Sequence, residues 1–168
     1  LILNTKEVSY VSNVEFKNLS NPNSHGWSLS GAVNFYEAEV HLNKCNFINP
    51  RSEDGLNIIR SKFTLNNCLF KNTESDAFDG DFVSGKIENC SFVNCGNDGI
   101  DVSGSCLEIN KISLFNIGDK ALSAGENSLV KGREIRIESS EIALTSKDLS
   151  SIEIDDVEIY DTKVGLVA

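Results

Sequence analysis

The sequence has 168 residues, and we predict one domain, residues 1–168, that is a fragment of a longer chain. An apolar content of 40% is sufficient for a core, and 24% charged residues is an ordinary value for a folded protein. The net charge of −10 disfavours binding to nucleic acid, because that requires clustered Lys and Arg. No apolar run is long enough to cross a bilayer, so we expect no membrane insertion.

A pair made of a small residue and an apolar residue recurs along the chain. The first clear pair is Ala32-Val33, and the next follows after 23 residues. All later pairs are 22 residues apart: Gly55-Leu56, Ala77-Phe78, Gly99-Ile100, Ala121-Leu122, Ala143-Leu144 and Gly165-Leu166. A constant interval of this length indicates a solenoid of stacked repeats.

Each pair is followed by the pattern apolar-x-apolar-x-x-apolar-x-apolar, for example Val40, Leu42, Cys45 and Phe47. The alternation indicates short strands, and the two extra residues between them indicate a corner. Such a repeat buries its apolar side chains only by stacking on the next repeat. We therefore predict an all-β fold, a right-handed single-stranded parallel β-helix of about seven coils with three short strands per coil.

The first coil is longer than the 22 to 23 residues of the others because it contains an insertion, residues 20–30, "SNPNSHGWSLS". Its Pro, Gly, Asn and Ser residues predict a loop that projects from a corner. The loop holds the only Trp of the chain, Trp27. We assign Trp27 to ligand binding, and the alternative is that it covers the apolar edge of the stack.

The repeat also predicts which side chains stack on one another. Two columns are expected inside the coils, one of cysteines (Cys45, Cys68, Cys90) and one of large apolar residues (Phe47, Phe70, Phe92, Leu114). A polar column is expected at one corner: Asn18, Asn49, Asn72, Asn94, Asn116, Ser139 and Asp161. Asn suits this corner because it tolerates left-handed backbone angles and its amide can bond to the next amide. We expect free thiols in the cysteine column and leave a disulfide at Cys95 or Cys106 open.

The corners change midway along the chain. Up to Gly99, the first core residue follows the small residue by 8 positions, and after Ala121 it follows by 9. Another corner shortens from 7 residues to 6 in compensation. The repeat length is therefore kept, and we expect the later coils to differ in cross-section.

Acidic residues concentrate beside the pairs of two neighbouring coils. Strand alternation places one column outward: Asn57, Asp79, Asp101, Ser123 and Thr145. Stacked carboxylates repel one another, and a hard cation relieves the repulsion, so we predict a Ca²⁺ site formed by Asp76, Asp79, Asp98 and Asp101. The alternative is a solvated acidic strip that is neutralised by Lys120, one coil after Asp98.

The repeat resembles that of the parallel β-helix superfamily that includes pectate lyases and polygalacturonases. The stretch "GNDGIDVSGS", residues 96 to 105, looks like the "NTDGID" segment of polygalacturonases. The resemblance implies a catalytic role for Asp98, and for Asp119 as the first member of an Asp-Asp pair whose second member is replaced by Lys120. The His and the Arg-x-Lys pair of that family have no counterpart here, which disfavours hydrolysis.

The chain is also similar to Ca²⁺-dependent pectate-type lyases, in which aspartates hold Ca²⁺ against an acidic sugar. That resemblance implies Ca²⁺ at the four aspartates and proton abstraction by Lys120. A third similarity, to uncharacterised bacterial β-helix repeat proteins, rests on "SDAFD", "NDGID" and "GDKALS" in successive coils. It implies a surface or secreted repeat domain.

These observations predict an extracellular or cell-surface β-helix module that binds a polysaccharide or has a structural role, with Asn57 and Trp27 as binding residues. The alternative is an enzyme, a polysaccharide lyase before a glycoside hydrolase, with Lys120, Asp98 and Asp119 as catalytic residues. The last strand, "VGLVA", has no cap, so we expect flanking domains or another subunit at this C-terminal edge.

Overall fold

The fold is described from a computed structural model that covers residues 1–24 and 26–168, with only the backbone of Ser24 and Trp27. Within these ranges there is no helix, and 69% of the residues are in strands. The chain winds as a parallel β-helix, which confirms the predicted fold class. It has about six turns rather than about seven. At the N-terminal end, β1 (Ile2–Leu3) is only two residues long, and the insertion follows before β6 (Gly31–Tyr36).

Strands at the same position of each turn form three faces. Face A contains β2 (Ser9–Ser12), β7 (Val40–Asn43), β10 (Lys62–Asn66), β13 (Ser84–Glu88) and the first parts of β16 (Cys106–Gly125), β17 (Leu129–Ser146) and β18 (Ser151–Tyr160). Face B contains β3 (Glu15–Lys17), β8 (Asn46–Ile48), β11 (Leu69–Thr73), β14 (Ser91–Cys95) and the following parts of β16, β17 and β18. Face C contains β1, β6 (Gly31–Tyr36), β9 (Asp54–Ile59), β12 (Asp76–Asp81), β15 (Ile100–Ser103), the last parts of β16 and β17, and β19 (Val164–Val167).

The insertion, residues 20–30, has its own short pairing. Strands β4 (Asn23–Ser24) and β5 (Trp27–Ser28) are antiparallel, whereas the faces pair only in parallel. The side chain of Trp27 lies outside the described part of the chain, so its assigned binding role stays a prediction.

The core consists of the stacked columns that the repeat predicts. Phe70 is in register with Phe47 and Phe92, and Phe92 with Leu114. Neighbouring ring centroids in this column are 4.6 and 4.8 Å apart, with the rings within 3° of parallel. Phe16 extends the column by one turn, at 5.0 Å from Phe47. Stacked aromatic rings bury a large apolar area, and their contacts fix the register of the turns.

The cysteines behave as predicted for the column. Cys45, Cys68 and Cys90 are buried, and the backbone N–H of Cys68 donates to Sγ of Cys90 at 3.4 Å. Cys95 is buried and Cys106 is exposed, and all five thiols are free. The cysteines therefore fill core space as small apolar side chains and do not cross-link turns.

The corners are made by residues with left-handed backbone angles. The predicted polar column lies between faces B and C, and its members all have positive φ: Asn18, Asn49, Asn72, Asn94, Asn116, Ser139 and Asp161. From Asn116 back to Asn18, each side-chain amide donates to the amide oxygen of the previous turn at 2.9 to 3.0 Å. This asparagine ladder confirms the prediction. Asn is favoured there because its short polar side chain tolerates the left-handed region.

The predicted change of corners is also confirmed. Cys106 pairs with Leu129 and Ile117 with Ser140, a step of 23, whereas Lys120 pairs with Ile142, a step of 22. The corner between faces C and A gains a residue there, with Glu126 and Asn127 both at positive φ, and the corner between faces B and C loses one.

The C-terminal end of the stack is formed by β18 and β19, which pair with β17 alone. Leu166 is 70% exposed there, and Val157, Val164 and Val167 are also exposed. This end therefore presents strand edges and apolar side chains, and the expectation of a neighbour at this edge stays a prediction. Among the described residues we find no helix with the length and hydropathy needed to cross a membrane.

Candidate functional site

Two polar columns run side by side along face C, parallel to the axis of the β-helix. The first column lies at the start of face C in each turn, with Asp98 two residues before β15: Gly31, Asp54, Asp76, Asp98, Lys120, Ile142 and Val164. The second column lies three residues further along each strand: Asn34, Asn57, Asp79, Asp101, Ser123, Thr145 and Val167. The two columns contain the four aspartates of the predicted metal site, Asp98 among them, as well as Asn57 and Lys120.

The two columns lie side by side on face C, and we call the strip that they form the acidic slot. A Cβ atom on Gly31 would lie 2.7 Å from Oδ1 of Asn34 and 2.8 Å from Cβ of Asn57. The two columns therefore touch at the Gly31 end. Further along, Asn57, Ser123 and Thr145 are buried, although strand alternation turns them away from the apolar core. The outward column is therefore not a solvated strip along its whole length.

The carboxylates of the first column bind the backbone of the following turn. Asp76 Oδ1 accepts hydrogen bonds from the backbone N–H of Asp98 at 2.8 Å and from Nδ2 of Asn97 at 2.7 Å. Asp98 Oδ1 in turn accepts from the backbone N–H of Lys120 at 2.9 Å. At this corner these backbone N–H groups have no partner in a neighbouring strand. Each aspartate supplies the hydrogen-bond acceptor for one of them.

Lys120 ends the run of carboxylates. Its Nζ lies 3.4 Å from both carboxylate oxygens of Asp98 and also contacts Asp119. Burial lowers the pKa of Lys120, but the bonds to Asp119 and Asp98 outweigh burial and raise it above the ordinary value. The ammonium group is therefore held charged between two carboxylates.

Burial and mutual repulsion raise the pKa of several carboxyls in the slot. Burial, followed by the neighbouring Asp54 and Asp81, raises the pKa of Asp79 to about 8. Burial also raises the pKa of Asp54 to about 7 and that of Asp98 to about 6, in Asp98 against the opposing effect of Lys120. At neutral pH the slot therefore holds protons as well as negative charge.

The second column contains side chains whose hydrogen-bonding capacity is not used. Asn57 Nδ2 donates to Asp79 Oδ2 at 2.6 Å. Beyond that pair, Asp101 Oδ1, Ser123 Oγ and Thr145 Oγ1 are buried and have no hydrogen-bond partner. Asp54 Oδ2 in the first column is in the same situation. Nearly all buried polar atoms in folded proteins are paired, so a row of unpaired ones requires an explanation.

The predicted catalytic residues do come together, since Lys120 contacts both Asp98 and Asp119. The four aspartates of the predicted metal site lie on two neighbouring turns of the acidic slot. Among the described residues, no three His, Cys, Asp or Glu side chains converge closely enough to hold a metal ion. Asp76 and Asp98 instead use carboxylate oxygens on the backbone of the next turn.

The sequence reasoning did not single out Asp54 as part of the site, nor Ser123 and Thr145 as candidate contacts. Asp54 lies one repeat from Asp76 and Ser123 one repeat from Asp101, and Thr145 follows Ser123 by one further repeat. The 22-residue interval was therefore a sufficient signal for their position. Their burial was not predictable from the interval, because it depends on how close the two columns lie.

A second concave surface lies on face A and has a volume of about 690 Å³. Two of its lysines are paired across turns, with Lys86 Nζ at 2.6 Å from Glu108 and Lys131 Nζ at 2.9 Å from Glu153. These pairs satisfy each other, in contrast to the unpaired atoms of the acidic slot. We therefore take the acidic slot, rather than face A, as the candidate site.

No protein-family model matches this sequence, and no curated protein matches it either. The fold and the acidic slot are accordingly the observations from which function is argued.

Proposed function

We propose that the chain is a binding module of an extracellular or cell-surface protein, and that a polysaccharide lies along the acidic slot. The observation that carries the proposal is the repetition of hydrogen-bonding side chains parallel to the helix axis, from Asp54 to Thr145. Successive turns are about 4.8 Å apart, so an extended chain of repeating units meets a polar group at every turn. Carboxyl and hydroxyl groups are suitable partners for sugar hydroxyls, which both donate and accept.

The alternative function is a polysaccharide lyase that uses Lys120 as the base. A base must release its proton before it can take one from the substrate, and this requires a lowered pKa. Contacts with Asp98 and Asp119 instead raise the pKa of Lys120. This favours binding over proton abstraction.

An absorbance assay for unsaturated products on polygalacturonate and alginate, with and without Ca²⁺, tests the lyase. Activity that is lost in Lys120→Ala would favour the enzyme.

Binding is tested by affinity electrophoresis and calorimetry with neutral and acidic polysaccharides. The informative variant is Asp79→Asn with Asp101→Asn, because it removes two carboxyls of the second column and keeps their shape. The matched control is Glu108→Gln, which makes the same chemical change on face A. We expect the double variant to lose about tenfold in affinity, or 1.4 kcal/mol, and the control to bind as the parent does. The proposal fails if no polysaccharide binds, or if both variants bind equally.

Calcium is a separate hypothesis, because no preformed cluster exists in the described residues. Calorimetric titration of Ca²⁺ into the parent, Asp79→Asn and Asp101→Asn addresses it directly. Binding heat that disappears in both variants would assign the ion to the acidic slot. Equal heats in all three proteins would remove calcium from the site.

A further inference from the structure

Building on the proposed carbohydrate-binding function, we propose that the ligand is an uncharged polysaccharide and that Ser123 and Thr145 bind its hydroxyl groups. These two residues continue the second column beyond its carboxylates. Ser123 is fully buried and Thr145 is 4% exposed, and neither hydroxyl has a hydrogen-bond partner. Their assigned role is to recognise the ligand, not to catalyse a reaction.

Neither hydroxyl makes a hydrogen bond within the fold. The next residue of the same column is Val167, an apolar β-branched residue at the exposed end of the stack. An apolar residue at 123 or 145 would avoid burying an unused donor, which is unfavourable for the folded state. Polar groups retained at the expense of stability are expected where they bind something.

The charge of the slot selects against an acidic ligand. Asp54, Asp76, Asp79 and Asp101 line the turns that precede Ser123, and those of them that are ionised repel uronate groups. The cation nearest to the hydroxyl row is Lys120, which is already bound by Asp98 and Asp119. No charge in this part of the slot is therefore available to pair with a ligand carboxylate. Sugar hydroxyls, in contrast, can donate to Asp101 Oδ1 and exchange hydrogen bonds with both hydroxyls.

Access to the row depends on side chains of the first column. Lys120 lies three residues before Ser123, and Ile142 three residues before Thr145. Both Lys120 and Ile142 are half-buried side chains. Rotamer changes of these two side chains would expose the hydroxyls without movement of the backbone.

The experiment combines stability and binding in the same variants, Ser123→Ala and Thr145→Val. The probes are β-glucan, xylan and galactomannan as neutral polysaccharides, and polygalacturonate and alginate as acidic ones. We expect both variants to melt at the same or a higher temperature than the parent and to lose about tenfold or more in affinity for a neutral probe. Ser123→Thr and Thr145→Ser keep the hydroxyl and should retain binding. Ser113→Ala on face B is the control for loss of a half-buried hydroxyl.

Each outcome has a separate meaning. Binding of acidic probes alone overturns the uncharged ligand and leaves the proposed function in place. Neutral binding that is unchanged in Ser123→Ala and Thr145→Val overturns the role of the hydroxyls. Lower melting temperatures in both variants assign the hydroxyls to folding and also overturn it. Absence of binding to every probe removes the proposed function itself.

Discussion

The asparagine ladder and the acidic slot are two polar columns built on the same repeat, and they differ in how their members meet. In the ladder, Nδ2 of Asn94 donates to Oδ1 of Asn72 at 2.9 Å, and Asn116 bonds to Asn94 in the same way. An amide carries both a donor and an acceptor, so identical side chains satisfy one another at every turn. An ionised carboxylate only accepts, so a stacked neighbour of the same kind repels it.

The acidic slot resolves this conflict in several ways along its length. Asp76 and Asp98 turn to backbone N–H groups, Asp79 pairs with the amide of Asn57, and Lys120 supplies a positive charge. Where these partners end, hydroxyls remain unpaired. A repeat therefore favours self-complementary side chains, and a column that is not self-complementary indicates a position with another role.

The largest effect is expected from removing the charge that ends the acidic run. Lys120→Met leaves Asp98 buried without a cation, and we expect a loss of about 2–4 kcal/mol in the free energy of unfolding at pH 8. The loss should be smaller at pH 5, where Asp98 takes up a proton. Urea unfolding at both pH values measures the difference. Lys163→Met, which removes an exposed ion pair with Glu141, is the control and should change little. A similar loss in both variants would contradict the reasoning.

A smaller effect of opposite sign is expected when a carboxyl of the slot becomes an amide. The pKa of Asp79 is about 8 in the folded state, above the ordinary value of 3.8, so the folded protein binds the proton more tightly than the unfolded chain. Ionising Asp79 in the folded protein lowers the free energy of unfolding. This loss is therefore absent below pH 4 and complete above pH 8. We expect Asp79→Asn to raise the free energy of unfolding by about 1–3 kcal/mol at pH 8.5 and much less at pH 4. An increase of equal size at both pH values would show that ionisation is not the cause.

The smallest effect is expected when an amide of the asparagine ladder is replaced by a carboxyl. Asn72→Asp keeps a residue that tolerates the left-handed backbone of this corner, but it removes the donor to Asn49. We expect a loss of about 0.5–1.5 kcal/mol at pH 7, since the ladder is exposed and the net value of one hydrogen bond is modest. A protonated Asp can donate again, so the loss should shrink at pH 3 relative to Asn72→Ala. Equal losses for both variants at pH 3 would contradict this.

The repeat interval made much of the architecture predictable. Columns such as Phe47, Phe70 and Phe92 followed from the spacing alone, because every stacked turn places the same repeat position in the same place. The exchange of a residue between two corners near Asp119 was predictable for the same reason. The number of turns was less predictable from the sequence, since the strands at the two ends and the insertion depend on contacts outside the repeat pattern.

The candidate site was predictable only in part. The interval correctly brought Asp98 next to Lys120 and aligned Asp79 with Asp101. Strand alternation implied that the second column is open to solvent, and this was wrong for Asn57, Ser123 and Thr145. Alternation tells which side of a strand a residue lies on, whereas its exposure also depends on the neighbouring side chains that cover it.

The sequence by itself determined which residues share a column, because a constant repeat length converts spacing along the chain into neighbours along the axis. Only the tertiary structure decided which columns are solvated. The distance between two adjacent columns depends on backbone angles at the corners, and a small change there determines whether carboxyls and hydroxyls meet water, protons or one another.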